Sequence, residues 1–195
     1  MSYNHFAVAG SSSHEVVYGL YQCRGDLSMP DCAACVSHSV RQLGALCPGT
    51  CGRALQLQGC YVKYDNDTFI GAEDKTIVMK KCGTPTGNDD KIAARDAVLD
   101  GVVGGGGSGD GGGDGNFRAG GSKHVSVIAQ CVGDLSGDQC QDCLKEAVKQ
   151  VKNICPSSGY ADMYLRKCYV RYTIGGGRAY FNSDNGGVKF SSVNI

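Results

Sequence analysis

At 195 residues the chain has room for two small domains or one of ordinary size, and its 42% hydrophobic content permits a folded core without naming a fold. Lysine plus arginine and aspartate plus glutamate number 19 each, so the formal net charge is zero, which excludes the basic surface that sequence-independent phosphate binding to nucleic acid requires. Twelve cysteines beside four histidines and no tryptophan read as a disulfide framework, and such bonds persist only in the secretory pathway or outside the cell.

Along the chain, the opening Met1-Ser-Tyr-Asn-His-Phe6 has neither the basic nor the apolar segment of a secretory leader. Cys23, Cys32 and Cys35 form a C-x8-C-x2-C motif, after which Val36, Val40 and Leu43 recur at the spacing of a helix that buries one face. Beyond Cys47 and Cys51, Ala54–Gln58 alternates apolar and polar residues and leads into Cys60-Tyr61-Val62-Lys63-Tyr64, the pattern of half-buried strands. Asn66-Asp67-Thr68 is an acceptor triplet for N-glycosylation, a candidate modification site in a secretory chain. Asp65, Asp67, Glu73 and Asp74 read as a charged loop, and Thr76–Lys81 as a further strand. Pro85, Gly87 and Asn88 place a linker over Cys82–Asp90.

A second helix is predicted over Lys91–Val103, with Ile92, Ala93, Asp96, Leu99 and Val103 on or near one face. Residues 104–116 are nearly all glycine, a surface loop without the Lys-Ser/Thr ending of a phosphate-binding loop. Cys131, Cys140 and Cys143 then repeat the C-x8-C-x2-C motif, Leu144, Val148 and Val151 the helix, and Met163–Tyr172 the alternating strands around Cys168. Residues 182–195 form a polar tail. No run reaches the roughly 18 to 20 apolar residues of a membrane span, so a membrane anchor is absent from this chain as given.

The repeat is the strongest pattern. Cys23, Cys32, Cys35, Cys47 and Cys60 recur 108 positions later as Cys131, Cys140, Cys143, Cys155 and Cys168. Cys51 falls on Gly159 and has no counterpart, and the counterpart of Cys82 would precede Met1. The expectation is a first cysteine-rich module over 1–81, incomplete at its start, and a second over 82–181. A first module without its opening strand, helix and cysteine is expected to fold poorly.

Three chemistries compete for the cysteines. Structural disulfides suit modules of about 100 residues that bury little surface. A zinc site would use Cys32-x2-Cys35 or Cys140-x2-Cys143, but neither repeat supplies a second ligand pair. A redox dithiol at a helix start would have its thiolate stabilised by the helix dipole, but the βαβ setting is missing. His5, His14, His38 and His124 have no equivalents between repeats, and no catalytic triad order or H-E-x-x-H helix occurs, so an enzyme is not expected and no cofactor is implied.

With its flanks Leu20-Tyr-Gln-Cys-Arg-Gly-Asp-Leu27 and Gly59-Cys-Tyr-Val-Lys-Tyr-Asp-Asn66, the motif resembles the cysteine-rich module typified by the plant antifungal protein ginkbilobin. Tandem pairs of that module occur in cysteine-rich receptor-like kinases, cysteine-rich repeat secretory proteins and plasmodesmata-located proteins, and the flanks look most like the last. The resemblance implies an α+β fold of two tandem modules, each an antiparallel sheet packed on helices. It implies the disulfides Cys23–Cys32, Cys35–Cys60, Cys82–Cys155, Cys131–Cys140 and Cys143–Cys168, leaving Cys47 and Cys51 to pair together or stay free. It further implies an interaction protein of the cell surface at plasmodesmata, acting in cell-to-cell trafficking or defence, with surface proteins or cell-wall components as partners and homo- or hetero-association open. Plasmodesmal members normally add a signal peptide, a membrane span and a short cytoplasmic tail. The alternatives are a secreted mannose-binding antifungal lectin and a thiol oxidoreductase. Ginkbilobin's mannose-binding asparagine, arginine and glutamate fall here on Gly83, Asp162 and Thr173 in the second module; in the first, the latter two fall on Ala54 and Asp65, with Arg53 one place out of register.

Overall fold

The computed structural model describes residues 2–9, 16–46, 52–105 and 116–175, and the chain divides between Ala72 and Glu73 into two units. Cys47, Cys51, most of the glycine-rich loop and the tail 182–195 lie outside the described residues.

The first unit runs β1 (Tyr3–Ala9), β2 (Val16–Cys23), α1 (Met29–Leu46), β3 (Gly52–Gln56) and β4 (Cys60–Asp65). Its sheet is antiparallel in the order β1-β2-β4-β3, and α1 packs on it. Neither β1 nor β2 is among the predicted elements. Val16-Val17-Tyr18 and Leu20-Tyr21 carry strand-forming residues, but Gly19 interrupts them. The glycine is required: the Phe6 ring lies over it, and a Cβ there would stand 2.2 Å from Phe6 Cζ. The core gathers Cys23, Cys32, Leu43, Leu55, Leu57, Cys60 and Val62. Val40, predicted to face inward, is 54% exposed, and the inward stripe of α1 is instead Cys32, Ser39 and Leu43 with Cys35 and Val36 half-buried.

The second unit runs β5 (Ile77–Cys82), α2 (Asp89–Val103), β6 (Phe117–Gly121), β7 (Val125–Cys131), α3 (Gly137–Ile154), β8 (Tyr160–Leu165) and β9 (Cys168–Ile174). The sheet order is β5-β8-β9-β7-β6, and both helices pack on one face. That face contributes Val125, Val127, Ala129, Ala161, Met163, Val170 and Tyr172 to a core closed by Leu99, Val102, Leu144 and Val151. The repeat is visible in three dimensions: β6-β7-β9-β8 and α3 reproduce β1-β2-β4-β3 and α1. Val148, 108 positions after Val40, is buried at 5% because α2 packs on α3, and the described residues of the first unit hold no equivalent of α2.

Two boundaries move. The strand predicted over Thr76–Lys81 forms as β5, but it pairs with β8 and so belongs to the second sheet, whereas the 1–81 boundary assigns it to the first module. The expected linker over Cys82–Asp90 is stitched to the second unit by Gly83 N–H to Tyr160 O, Gly159 N–H to Thr84 O and Thr86 N–H to Ser157 O. Helix α2 begins where Asn88 accepts a bond from Lys91 N–H, and α3 begins with a capping box between Ser136 and Gln139. No helix among the described residues is long and apolar enough to cross a membrane.

Candidate interaction surface

Five disulfides join Cys23 to Cys32, Cys35 to Cys60, Cys82 to Cys155, Cys131 to Cys140 and Cys143 to Cys168. The C-x8-C bond ties the end of a strand to the first turn of the following helix, and the next bond ties that helix to the central strand. The two cysteines of each C-x-x-C pair therefore bond away from each other. A cycling dithiol must close on itself and meet its substrate, whereas Cys140 and Cys143 are each 1% exposed. Cys82 differs: it is exposed at the sheet edge while its partner Cys155 is buried beneath it. Among the described residues no three of His, Cys, Asp and Glu gather into a cluster suited to a metal ion.

Buried charge is concentrated in the second unit, and sequence reasoning missed it. Arg95, on the inward face of α2, is 1% exposed. Its Nη1 donates to the Cys155 and Pro156 carbonyls at 3.0 Å each and to the Tyr172 hydroxyl at 3.2 Å. The guanidinium thus sits against the carbonyl end of α3, where the helix dipole favours a cation, and over the Tyr172 ring at 5.3 Å. Tyr172 in turn donates to Ser158 O at 2.7 Å. Burial pushes the Tyr172 hydroxyl above its usual value, with Arg95 opposing. Lys167 pairs with the buried Asp134. On the opposite face of the sheet Arg171 bonds Asp162 at 2.8 Å beside the stacked Tyr164 and Tyr169 rings. Burial works against the Arg171 charge, and Tyr164 and Asp162 outweigh it, so the group is displaced upward and stays protonated.

The three positions that correspond to a mannose site are brought close together in the second unit. Gly83 bonds Tyr160, Tyr160 pairs with Thr173, and Asp162 lies two residues along the same strand. The arrangement does not suit a sugar. The Tyr160 ring stands 2.3 Å from where a Cβ at position 83 would be, so it fills the place of the asparagine side chain. Asp162 is an acceptor where the family has a donor, and it is already held by Arg171. In the first unit Ala54 is buried, while Asp65 and Arg53 are partly exposed on strands β4 and β3.

What remains accessible is uneven. Strand β1 is an edge strand whose Phe6 and Val8 are 47% and 51% exposed. The opposite extreme is β5, an edge strand of the second sheet guarded by exposed Lys80 and Lys81, the usual defence against strand addition. Asn66, Asp67 and Thr68 are all exposed in the bend after β4.

The salt stress response/antifungal family model matches residues 1–67 and 104–174, the bulk of both units. The chain belongs to that family. Among relatives of the salt stress response/antifungal family, plasmodesmata-located protein 7 of Arabidopsis thaliana is 55% identical over 185 residues, 94% of this chain and 59% of that protein. Plasmodesmata-located protein 6 of the same plant is 47% identical over 189 residues, 95% of this chain and 63% of its own length. This chain thus spans about three fifths of the curated relatives it matches. The crystal structure of the tandem DUF26 ectodomain of the A. thaliana cysteine-rich receptor-like protein PDLP5 superposes with a TM-score of 0.79 at 40% identity, covering 90% of this chain and 83% of that one. With its disulfide framework, this tandem-module chain is of the plasmodesmata-located type and takes its place at the outer surface of the plasma membrane at plasmodesmata.

Proposed function

We propose that the chain is the extracellular part of a plant cell-surface interaction protein that acts at plasmodesmata in cell-to-cell trafficking or defence signalling, through contacts with other surface proteins or the cell wall. The supporting observation is that identity to the plasmodesmata-located proteins runs through both units and not one module alone. The oxidised framework suits this role, since it braces both units while holding the ten described cysteines in disulfides. The test is imaging of the tagged full-length gene product together with the spread of a mobile fluorescent protein between cells. Puncta at the walls and altered spread on overexpression are expected. A uniform surface signal with unchanged spread overturns the reading.

A second reading, a mannose-binding antifungal protein, draws on similarity to the antimicrobial ginkbilobin-2-like protein of Castanea crenata, 29% identical over 161 residues. The filled place at Gly83 and the engaged Asp162 argue against it. On a glycan array, no mannose-dependent signal is expected.

A further inference from the structure

We propose that Asn66 carries an N-linked glycan, and that this glycan screens one end of the first unit's sheet from partners. The acceptor triplet lies between two fixed points. On one side Asp65 is paired with Tyr18 of β2 and Gly52 of β3, and its Oδ1 accepts the Asp67 N–H at 3.4 Å, which shapes the bend. On the other, Phe69 is 8% exposed and the Lys63 ammonium lies 4.2 Å from its ring centre. The three residues between these points bulge into solvent. Among the described residues neither the Asn66 carboxamide nor the Thr68 hydroxyl is held by a hydrogen bond, so a glycan on Asn66 displaces none of theirs.

Compartment supplies the other half of the argument. Five disulfides require passage through the oxidising secretory pathway, where the oligosaccharyl transferase resides. There the Asn66 Nδ2 forms a bond to the anomeric carbon of a lipid-linked oligosaccharide. The bond from that carbon to the lipid pyrophosphate breaks, the pyrophosphate leaves with the electron pair, and Nδ2 gives up one proton. The Thr68 hydroxyl is the element of the triplet that the transferase recognises.

The modification distinguishes the two repeats. The positions 108 residues on are Ile174, Gly175 and Gly176, which hold no acceptor. A sugar on Asn66 stands over the ends of β2, β4 and β3, so that end of the first unit makes no protein contact, and a partner approaches from elsewhere.

The test translates the whole chain behind a cleavable signal peptide in the presence of endoplasmic reticulum microsomes, and protease protection selects the translocated fraction. Wild type and Thr68→Ser are expected to gain the mass of one glycan that a peptide N-glycosidase removes, leaving aspartate at position 66 by peptide mass spectrometry. Asn66→Gln and Thr68→Ala are expected to lose it. This readout precedes folding, so an unfolded variant does not obscure it. A protected wild-type chain that comigrates with Asn66→Gln, or a glycan mapped to another residue, overturns the proposal.

Discussion

Tyr172 and Arg95 form a pair whose members each satisfy groups the other leaves open. Replacing Tyr172 with phenylalanine removes the donor to Ser158 O and the acceptor for Arg95, a loss of about 1 to 2 kcal/mol. Because burial raises the Tyr172 hydroxyl above its unfolded value near 10, the folded state holds a proton that the unfolded state has released over the interval between the two values. Stability from this group is therefore intact below about pH 10 and falls as the pH climbs toward the folded value. Melting curves taken across the alkaline range should show a decline in wild type that is shallower in Tyr172→Phe. For Arg95, a lysine keeps the charge but its single nitrogen cannot serve Cys155 O, Pro156 O and Tyr172 while also holding Asp96, which Nε and Nη2 of the guanidinium do, so Arg95→Lys as well as Arg95→Leu should lose about 2 kcal/mol or more in urea unfolding. Full retention by the lysine variant would mean that charge alone matters at this position.

Elements were legible where their inward residues are apolar or periodic. Leu144, Val148 and Val151 announce α3, and the alternation around Cys168 announces β8 and β9, because in both cases the buried face is hydrocarbon. Helix α2 was legible as a helix but its face was not: the centre of its inward side is Arg95, a residue that periodicity counts as outward. Val40 failed for a different reason, since its burial in the other repeat depends on a neighbouring helix that local sequence cannot reveal. Strand β5 was legible, but its partner β8 lies about 80 residues away, and pairing at such range is not encoded in a strand's own residues. Spacing established which cysteines repeat, while their partners came only from family resemblance. The disulfides also differ in access, and this yields an order of reduction. Cys82 is the exposed half of the bond that secures β5 to the end of α3, so limited dithiothreitol followed by alkylation and peptide mapping should label Cys82 and Cys155 before any other described pair. Its 73-residue span makes it worth about 4 kcal/mol by chain entropy, against about 2.5 kcal/mol for a nine-residue span such as Cys131–Cys140. Early labelling of Cys131 or Cys143 would contradict the assignment.

At the scale of the molecule, the two units are unequal versions of one design. The second closes its core with two helices and three disulfides, whereas the described part of the first does so with one helix and two. Hydrogen exchange should follow that inequality, with amides of β7, β8 and β9 slowest and those of the exposed edge β1 fastest. Equal protection in β1 and β9 would contradict it. The bond between Cys82 and Cys155 has a mechanical meaning as well. Tension carried along the backbone enters the second unit through β5 and, with the bond closed, passes from Cys82 straight to Cys155, so the 73-residue span between them bears no load. About 250 Å of potential extension is withheld from a pulling force. Besides β5, only β8 and β9, the strands that follow Cys155, stay in the line of tension among the described elements, and reduction of the Cys82–Cys155 bond would turn a stiff element into a compliant one.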